Sequence, residues 1–589
     1  MPWGNTRDGH LRKSKLLFLC FLLAIVVLIV NAFLSVRDSN DEWILSGSLQ
    51  ICFIAFVLSY SLIAGSSVNL KAVTVATAVF LVIVNLIPSI KYVFIYGYHD
   101  PIGHYGLIKD MISLESIPVT GVYRNYYGFA PGIHLFVYSL ARLTTLDVST
   151  SMKVFMVPFP LVLPIAVYSV SRKLGTPPDL ARMMIVSTAI TAPRTYVFMG
   201  PTTSYYLYVL FLYFFLLLIS TREFTRSQLI ISLLLGIAIT ISHSMTSFFL
   251  SVFLLIMLAL LSTSVFGKAK TPSRGTLLAI MSIVIIFAYF VFVAKVNFAT
   301  ILLEIKSFIT KLVHAEPPPA LSYYGTFFQI GLLDKLKVLV VQLGSDALSL
   351  FLVILSPFAI LGLRLKNDKL RRFYQVSTLP YFIAAVLFVA TLIILPFSIR
   401  GLYYLAPLSP FFVGATLYFL LYRKHWRFKY ILEVAIILSL ICISMVEIYP
   451  YQPLIPKTST EYGDYYVLDT RAVNTIYDRS LLSFVDSYET HLGIAADYLT
   501  WWQVYGLTRP SVYAQLTDLT PLSSQNETTP LLIIVHTDSE AHAFPSYKDA
   551  VAYKAYAEYA LQWQNVLYTN GKSYVFLNLP FMLNSTAVP

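Results

Sequence analysis

Apolar runs of about twenty residues recur along this chain, and they leave one kind of fold open to most of it. A helix of that length crosses the roughly 30 Å hydrocarbon core of a bilayer, and it satisfies every backbone N–H and C=O within the segment. Such runs fall at 16–35, 44–65, 72–95, 153–171, 180–199, 203–220, 228–242, 248–266, 276–295, 338–363, 373–396, 402–421 and 431–449. The chain is 57% hydrophobic and 12% charged, about half the charged fraction of soluble domains. Its mean hydropathy is +0.71. The sequence therefore predicts a polytopic α-helical membrane protein with about thirteen transmembrane helices.

Charge sets the expected orientation. The first run, Lys15 to Leu34, follows Arg7, Arg12 and Lys13 and ends in Ser35-Val36-Arg37-Asp38. It is longer than a signal-peptide core and lacks the small-residue exit, so it reads as an uncleaved anchor with the N-terminus in the cytoplasm. The run 131–145 is short and broken by Pro131 and Arg142, and it reads as a helix lying on the membrane surface. Basic clusters at Arg172/Lys173/Arg182, Arg222/Arg226, Lys268/Lys270/Arg274, Arg364 to Arg372 and Arg423 to Lys429 then all face inward, as the positive-inside rule requires. A net charge of +12 spread this way points to membrane lipids and not to nucleic acid. Outside the membrane lie loops 96–152 and 296–337 and the tail 450–589. The tail carries more Asp and Glu than Lys and Arg, and two glycosylation sequons at Asn526 and Asn584.

Within that tail Leu531 to Val535 reads as a buried strand, 547–563 as a helix, and 566–577 as a hairpin turning at Asn570-Gly571. A small extracytoplasmic α/β domain is expected. The three cysteines, Cys20, Cys52 and Cys442, all lie in or beside apolar runs, which excludes a disulfide-stapled ectodomain and a CxxC site.

Candidate chemistry concentrates in the first large outer loop. It reads Tyr96-Gly-Tyr-His99-Asp100-Pro-Ile-Gly-His104-Tyr105, then Tyr126-Tyr127-Gly-Phe-Ala-Pro131-Gly-Ile-His134. A helix beginning at Asp100, with Pro101 in its first turn, places His104 one turn on. A carboxylate beside imidazoles can hold a divalent metal or accept a proton. The same residues also serve as a helix cap and as interfacial histidines among aromatic anchors. Arg194 near the outer end of its span marks either a functional pocket or a snorkelling cation.

His99-Asp100-Pro-Ile-Gly-His104-Tyr105 resembles the DPxxHY stretch of oligosaccharyltransferase catalytic subunits, within the GT-C superfamily of membrane glycosyltransferases. Tyr127-Gly-Phe-Ala-Pro131-Gly-Ile-His134 resembles the superfamily's YPPLxH surface helix, and Ser171-Arg172-Lys173-Leu174-Gly175 resembles its ARRLG turn. Ile241-Ser-His243-Ser-Met-Thr246 is similar to an H..T turn of archaeal members. Ser398-Ile-Arg400-Gly-Leu-Tyr-Tyr404-Leu-Ala-Pro407 is similar to the RYLLPLxP segment, and Thr500-Trp501-Trp502-Gln503-Val504-Tyr505-Gly506 to the WWDYG acceptor motif, with Gln for Asp and an inserted Val. Between the fifth and sixth spans, where oligosaccharyltransferases carry a second acid, Gly200-Pro-Thr-Thr-Ser-Tyr205 has no carboxylate.

The resemblance implies a GT-C-like membrane module over 72–449, preceded by two extra helices in 1–71. It implies transfer of a sugar from a polyprenyl- or dolichyl-phosphate-linked donor to a glycan, lipid or protein acceptor outside the membrane, in the cell envelope. Asp100 would be the catalytic base or a metal ligand. Arg400, Tyr404, His104, His134, Arg194, Trp501 and Trp502 would bind substrate. Asp100, His104 and His243 would hold a magnesium or manganese ion. Loop 296–337, with Glu304, suits a lid over the donor. The other class these runs allow is a transporter or flippase for a lipid-linked substrate, which usually carries charges at mid-membrane and repeated halves. Here the charges gather at span ends and no repeat is seen.

Overall fold

The computed structural model describes residues 69–91, 100–117, 127–191, 200–221, 225–262, 274–313, 367–394 and 407–422, together with short stretches, mostly strands, between 458 and 578. The helices are α1 (Leu70–Lys91), α2 (Asp100–Leu114), α3 (Gly132–Thr144), α4 (Val148–Met156), α5 (Phe159–Lys173), α6 (Pro178–Thr191) and α7 (Gly200–Thr221). They continue as α8 (Arg226–Ser242), α9 (Ser244–Ser262), α10 (Arg274–Phe292), α11 (Lys295–Val313), α12 (Asp368–Ile394) and α13 (Ser409–Tyr422). Every apolar run between 72 and 295, and those at 373–396 and 402–421, coincides with or overlaps one of these helices. The expected spans 16–35, 44–65, 338–363 and 431–449 lie outside the described residues.

Among the described residues, Val148–Lys173, Ser204–Thr221 and Arg274–Phe292 are long and apolar enough to cross a membrane. The first begins earlier than its apolar run suggests: α4 leads into α5 through a turn at Val157-Pro158. Pro158 lacks an amide proton, so the helical ladder breaks there. Helix α3 has 13 residues, about 20 Å at 1.5 Å per residue. That is too short to span, in keeping with a surface position for 131–145. Of the loop expected at 296–337, the part within the described residues belongs to the helix α11, which runs on to Val313.

The bundle is organised around α7. In the apolar window of α7 67% is buried within the protein, against 33% for α10. Tyr205, Tyr206, Phe211 and Phe215 are fully buried, whereas Leu277, Ile280, Val284 and Val291 of α10 face outward. A water-soluble fold does not expose a stripe of that kind; lipid covers it.

In lipid, helices are drawn together by close packing and not by hydrophobic exclusion, so small residues mark the contacts. Helix α13 meets α6 at Gly414, where an added Cβ would stand 2.5 Å from Met184 Cα and 2.7 Å from its amide nitrogen. Ser187 Oγ reaches Pro410 O at 2.7 Å, and Tyr374 Oη donates to Phe411 O at 3.0 Å. Tyr381 stacks flat on Phe412 with centroids 4.0 Å apart.

On the face expected to be cytoplasmic, α5 ends in a Schellman motif. Thr176 N donates to Ser171 O and Gly175 N to Arg172 O, with Gly175 at φ +65°, a backbone that favours glycine. Asn367 joins this end to α12. Its Oδ1 caps the amides of Lys369 and Leu370, while its Nδ2 donates to the carbonyls of Leu174 and Gly175. The Leu174-Gly175 step singled out in the sequence is therefore a helix stop that another helix docks upon.

In the tail, the strands are β1 (Thr458–Thr460), β2 (Gly463–Val467), β3 (Gly493–Ala496), β4 (Leu516–Asp518), β5 (Leu531–His536), β6 (Ala543–Phe544), β7 (Asn565–Thr569) and β8 (Ser573–Asn578). Five of them form a sheet in the order β4-β3-β5-β8-β7. The predicted strand 531–535 is its central strand, parallel to β3 and antiparallel to β8. The predicted hairpin is β7–β8, antiparallel and bulged between Val566 and Tyr568. The predicted helix 547–563 lies outside the described residues.

Two glycines test the packing account. Gly414→Val should lower stability by about 1–3 kcal/mol, because backbone on α6 cannot yield. Gly236→Ala should be neutral or better, since its new methyl would sit 3.5 Å from the Phe211 ring and alanine favours helix. Thermal unfolding in one detergent checks both, and equal melting of the two variants contradicts the close approach.

Candidate functional site

Two segments far apart in sequence are drawn together by one glycine. In Pro131-Gly132-Ile-His134, a Cβ at Gly132 would lie 2.7 Å from Ser242 Oγ and 3.0 Å from Ile241 O. The start of α3 therefore packs directly on the end of α8, one residue before His243. The turn leading into α3 is pinned as well: Ala130 N donates to Tyr127 O at 3.0 Å, and Tyr289 of α10 donates to Phe129 O at 2.7 Å.

The result is a buried cluster of imidazoles. His104 and His134 are both fully buried, and His104 Nδ1 lies 2.7 Å from His134 Nε2. Tyr127 packs edge-on against both rings, with centroids 4.6 Å from His104 and 5.6 Å from His134. His243 follows directly after Ile241 and Ser242, the residues that the start of α3 touches. Apolar packing of Ile108, Ile133, Val137, Met152 and Met156 holds α2, α3 and α4 together beside it. At the far end of α2, Arg142 donates to Ile112 O and pairs with Glu115, each at 3.1 Å.

Protonation follows from the partners. Burial first, then the neighbouring His134 and His243, hold the His104 imidazole well below its ordinary 6.5. Burial lowers His134 to about 3. Both rings are therefore neutral at pH 7. One must donate and the other accept across the 2.7 Å contact. His134 Nδ1 has no hydrogen-bond partner, and a buried orphan N–H is costlier than an orphan lone pair. The economical arrangement puts the His134 proton on Nε2, donating to His104 Nδ1, and the His104 proton on Nε2.

His243 is held differently. It stands between α8 and α9 in an extended conformation, φ −159° and ψ 116°. Its Nδ1 receives the backbone N–H of Thr246 at 3.2 Å and lies 2.9 Å from Thr246 Oγ1. Thr246 Oγ1 is in turn 2.9 Å from Ser204 Oγ of α7. Ser244 Oγ accepts from Asn297 Nδ2 of α11 at 2.6 Å.

The sequence candidates thus divide. His104, His134 and His243 converge. Asp100 begins α2, as expected, with Pro101 next, and its carboxylate is outside the described side chains. Arg194, Arg400, Tyr404, Trp501 and Trp502 lie outside the described residues, as does the side chain of Glu304. For a magnesium or manganese ion shared by Asp100, His104 and His243, the Nδ1 atoms of both imidazoles are already engaged, His104 with His134 and His243 with Thr246, so their Nε2 atoms are the ones that could face it. Among the described residues no group of three His, Cys, Asp or Glu side chains is arranged to hold a metal. Sequence reading passed over Gly132, Tyr289, Ser204 and Asn297. Gly132 lay inside a quoted motif, but nothing in the sequence says which backbone it touches.

No protein-family model matches the chain, and no curated protein matches it. Solved structures similar to it include ArnT from Cupriavidus metallidurans bound to undecaprenyl phosphate, at 11% identity and a TM-score of 0.45, covering 86% of this chain and 97% of that one. The apo state of the same protein is similar at 10% identity and a TM-score of 0.46, with the same coverage. Likeness at this level is too loose to carry either fold or function.

The neutral imidazoles make the cluster acid-sensitive. Their folded pKa values lie below the ordinary 6.5, so stability is complete above that value and is lost as pH falls through it toward about 3. The melting temperature of the purified protein should decline below pH 6.5, and His134→Gln should flatten that decline while lowering the plateau. A wild-type profile that is flat down to pH 4.5 (about two units of the window) contradicts neutral burial.

Proposed function

We propose that this chain is an integral membrane glycosyltransferase of the GT-C type, moving a sugar from a polyprenyl- or dolichyl-phosphate donor to an acceptor at the extracytoplasmic face. One observation carries the reading. Three motif residues that resemble GT-C positions are separated widely in sequence, yet His104, on the helix that Asp100 begins, touches His134 in a buried cluster, and His243 directly follows the residues on which the start of α3 packs. That motifs far apart in sequence come together supports reading them as one site.

In this reading Asp100 accepts the proton of the attacking hydroxyl, work worth about 10²–10⁴-fold in rate. Arg400 holds the departing lipid phosphate through paired N–H···O contacts, where charge grows in the transition state. Tyr404, Arg194, Trp501 and Trp502 line donor and acceptor positions. The apolar helices supply a surface for the polyprenyl chain, and the segment 296–337, which α11 opens, covers the donor. The tail 450–589 forms a separate extracytoplasmic unit near the acceptor.

The test is donor turnover. Purified protein in nanodiscs is incubated with a panel of polyprenyl-phosphate sugars, and released lipid phosphate is measured. Turnover of at least one donor is expected, with a loss of about 100-fold or more in Asp100→Asn and in Arg400→Ala at unchanged melting temperature. Full turnover in both variants overturns the site. Movement of a labelled lipid across vesicles without sugar release assigns the chain to transport instead.

A further inference from the structure

The way His243 is held identifies both its tautomer and the class of group it can meet. His243 has the extended backbone of a helix N-cap. Thr246 is the third residue of α9, and its amide is one of the donors that a helix start leaves without an intrahelical acceptor. That amide donates to His243 Nδ1 at 3.2 Å. A backbone N–H can only donate, so Nδ1 presents its lone pair to the helix and the proton of the neutral ring sits on Nε2. An imidazole that ligates a metal needs the reverse arrangement: a lone pair toward the ion, and the other nitrogen's N–H toward a carbonyl or carboxylate.

We propose that His243 is a tautomer-locked hydrogen-bond donor, positioned by Thr246 and Ser204, whose Nε2–H serves an oxygen acceptor such as a phosphate, carboxylate or sugar hydroxyl and not a metal ion. The lock is built from several helices. Thr246 supplies the amide, Ser204 of α7 holds the Thr246 hydroxyl at 2.9 Å, and Asn297 of α11 holds Ser244 at 2.6 Å. His243, Thr246, Ser204, Ser244 and Asn297 are all at least nine-tenths buried. Water therefore does not compete for the ring, and its orientation persists. The assignment does not depend on sugar transfer.

Two measurements test it on the full chain in nanodiscs. The first is the histidine ring tautomer by NMR of protein labelled with ¹⁵N-histidine, with the His243 signal identified by its loss in His243→Asn. The Nε2–H form is expected in the wild type. It should persist in Thr246→Val, which removes the hydroxyl but keeps the amide. An Nδ1–H form in the wild type, with the ring donating to the Thr246 hydroxyl, overturns the lock, as does a switch of tautomer in Thr246→Val, which would make the hydroxyl and not the amide the donor that fixes the ring. The second is titration with Co²⁺, followed by its visible absorption. Wild type and His243→Asn should respond alike. Stoichiometric binding that is lost in His243→Asn would make His243 a ligand and refute the proposal. A melting comparison separates the cap from the ring: asparagine can accept the Thr246 amide and should retain most of the stability that His243→Ala loses. Equal losses in the two variants would contradict the capping role.

Discussion

A bilayer offers no water to backbone amides, so a chain this apolar satisfies them inside helices and keeps its ionisable groups near helix ends. Much else in the structure follows from that constraint. The outward stripe of α10 can stay apolar because lipid covers it. Contacts between helices rely on glycine and serine, as at Gly414 against Met184 and Ser187 against Pro410. Reactive side chains can then gather where helices end, and the described imidazoles do: His104 in the first turns of α2, His134 in the first turn of α3, His243 between α8 and α9.

Rigidity at that mouth comes from several elements fastened to each other. Gly132 lets α3 touch the end of α8, Tyr289 of α10 holds the preceding turn, and Asn297 of α11 ties the start of α9. A site that must recognise a headgroup benefits from such fixing, since preorganised donors do not have to reorient when charge develops. Neutral buried imidazoles suit that task. They offer N–H donors without the desolvation cost of a buried cation, and their sensitivity to acid is the other side of the same burial.

Much of this was legible in the sequence, and the reasons differ by element. Long apolar runs announce helices because length and composition decide them, so the expected ends of α7 and α10, from runs 203–220 and 276–295, fall close to the observed Gly200–Thr221 and Arg274–Phe292. The hairpin at β7–β8 was readable because Asn570-Gly571 is a local turn signal. Helix α11 was not, since an amphipathic segment after a span looks the same in sequence as a solvated loop. In the site, His104, His134 and His243 were each suspected from their neighbours. Their meeting depends on the Gly132–Ser242 contact, a long-range approach that no local pattern encodes. The part each imidazole plays was illegible for a related reason. Spacing reveals that imidazoles are available, but hydrogen-bond partners decide which nitrogen keeps its proton, and for His243 that partner is an amide of α9.

The central claim is that this imidazole cluster borders the binding place of a lipid-linked headgroup. Photo-crosslinking measures that most directly: a polyprenyl phosphate carrying a diazirine beside its phosphate is irradiated with the purified protein, and labelled peptides are mapped by mass spectrometry. The account predicts label within 96–135 and 238–250, competed away by unmodified polyprenyl phosphate. Label confined to the outward face of α10, or undiminished by competitor, would contradict it.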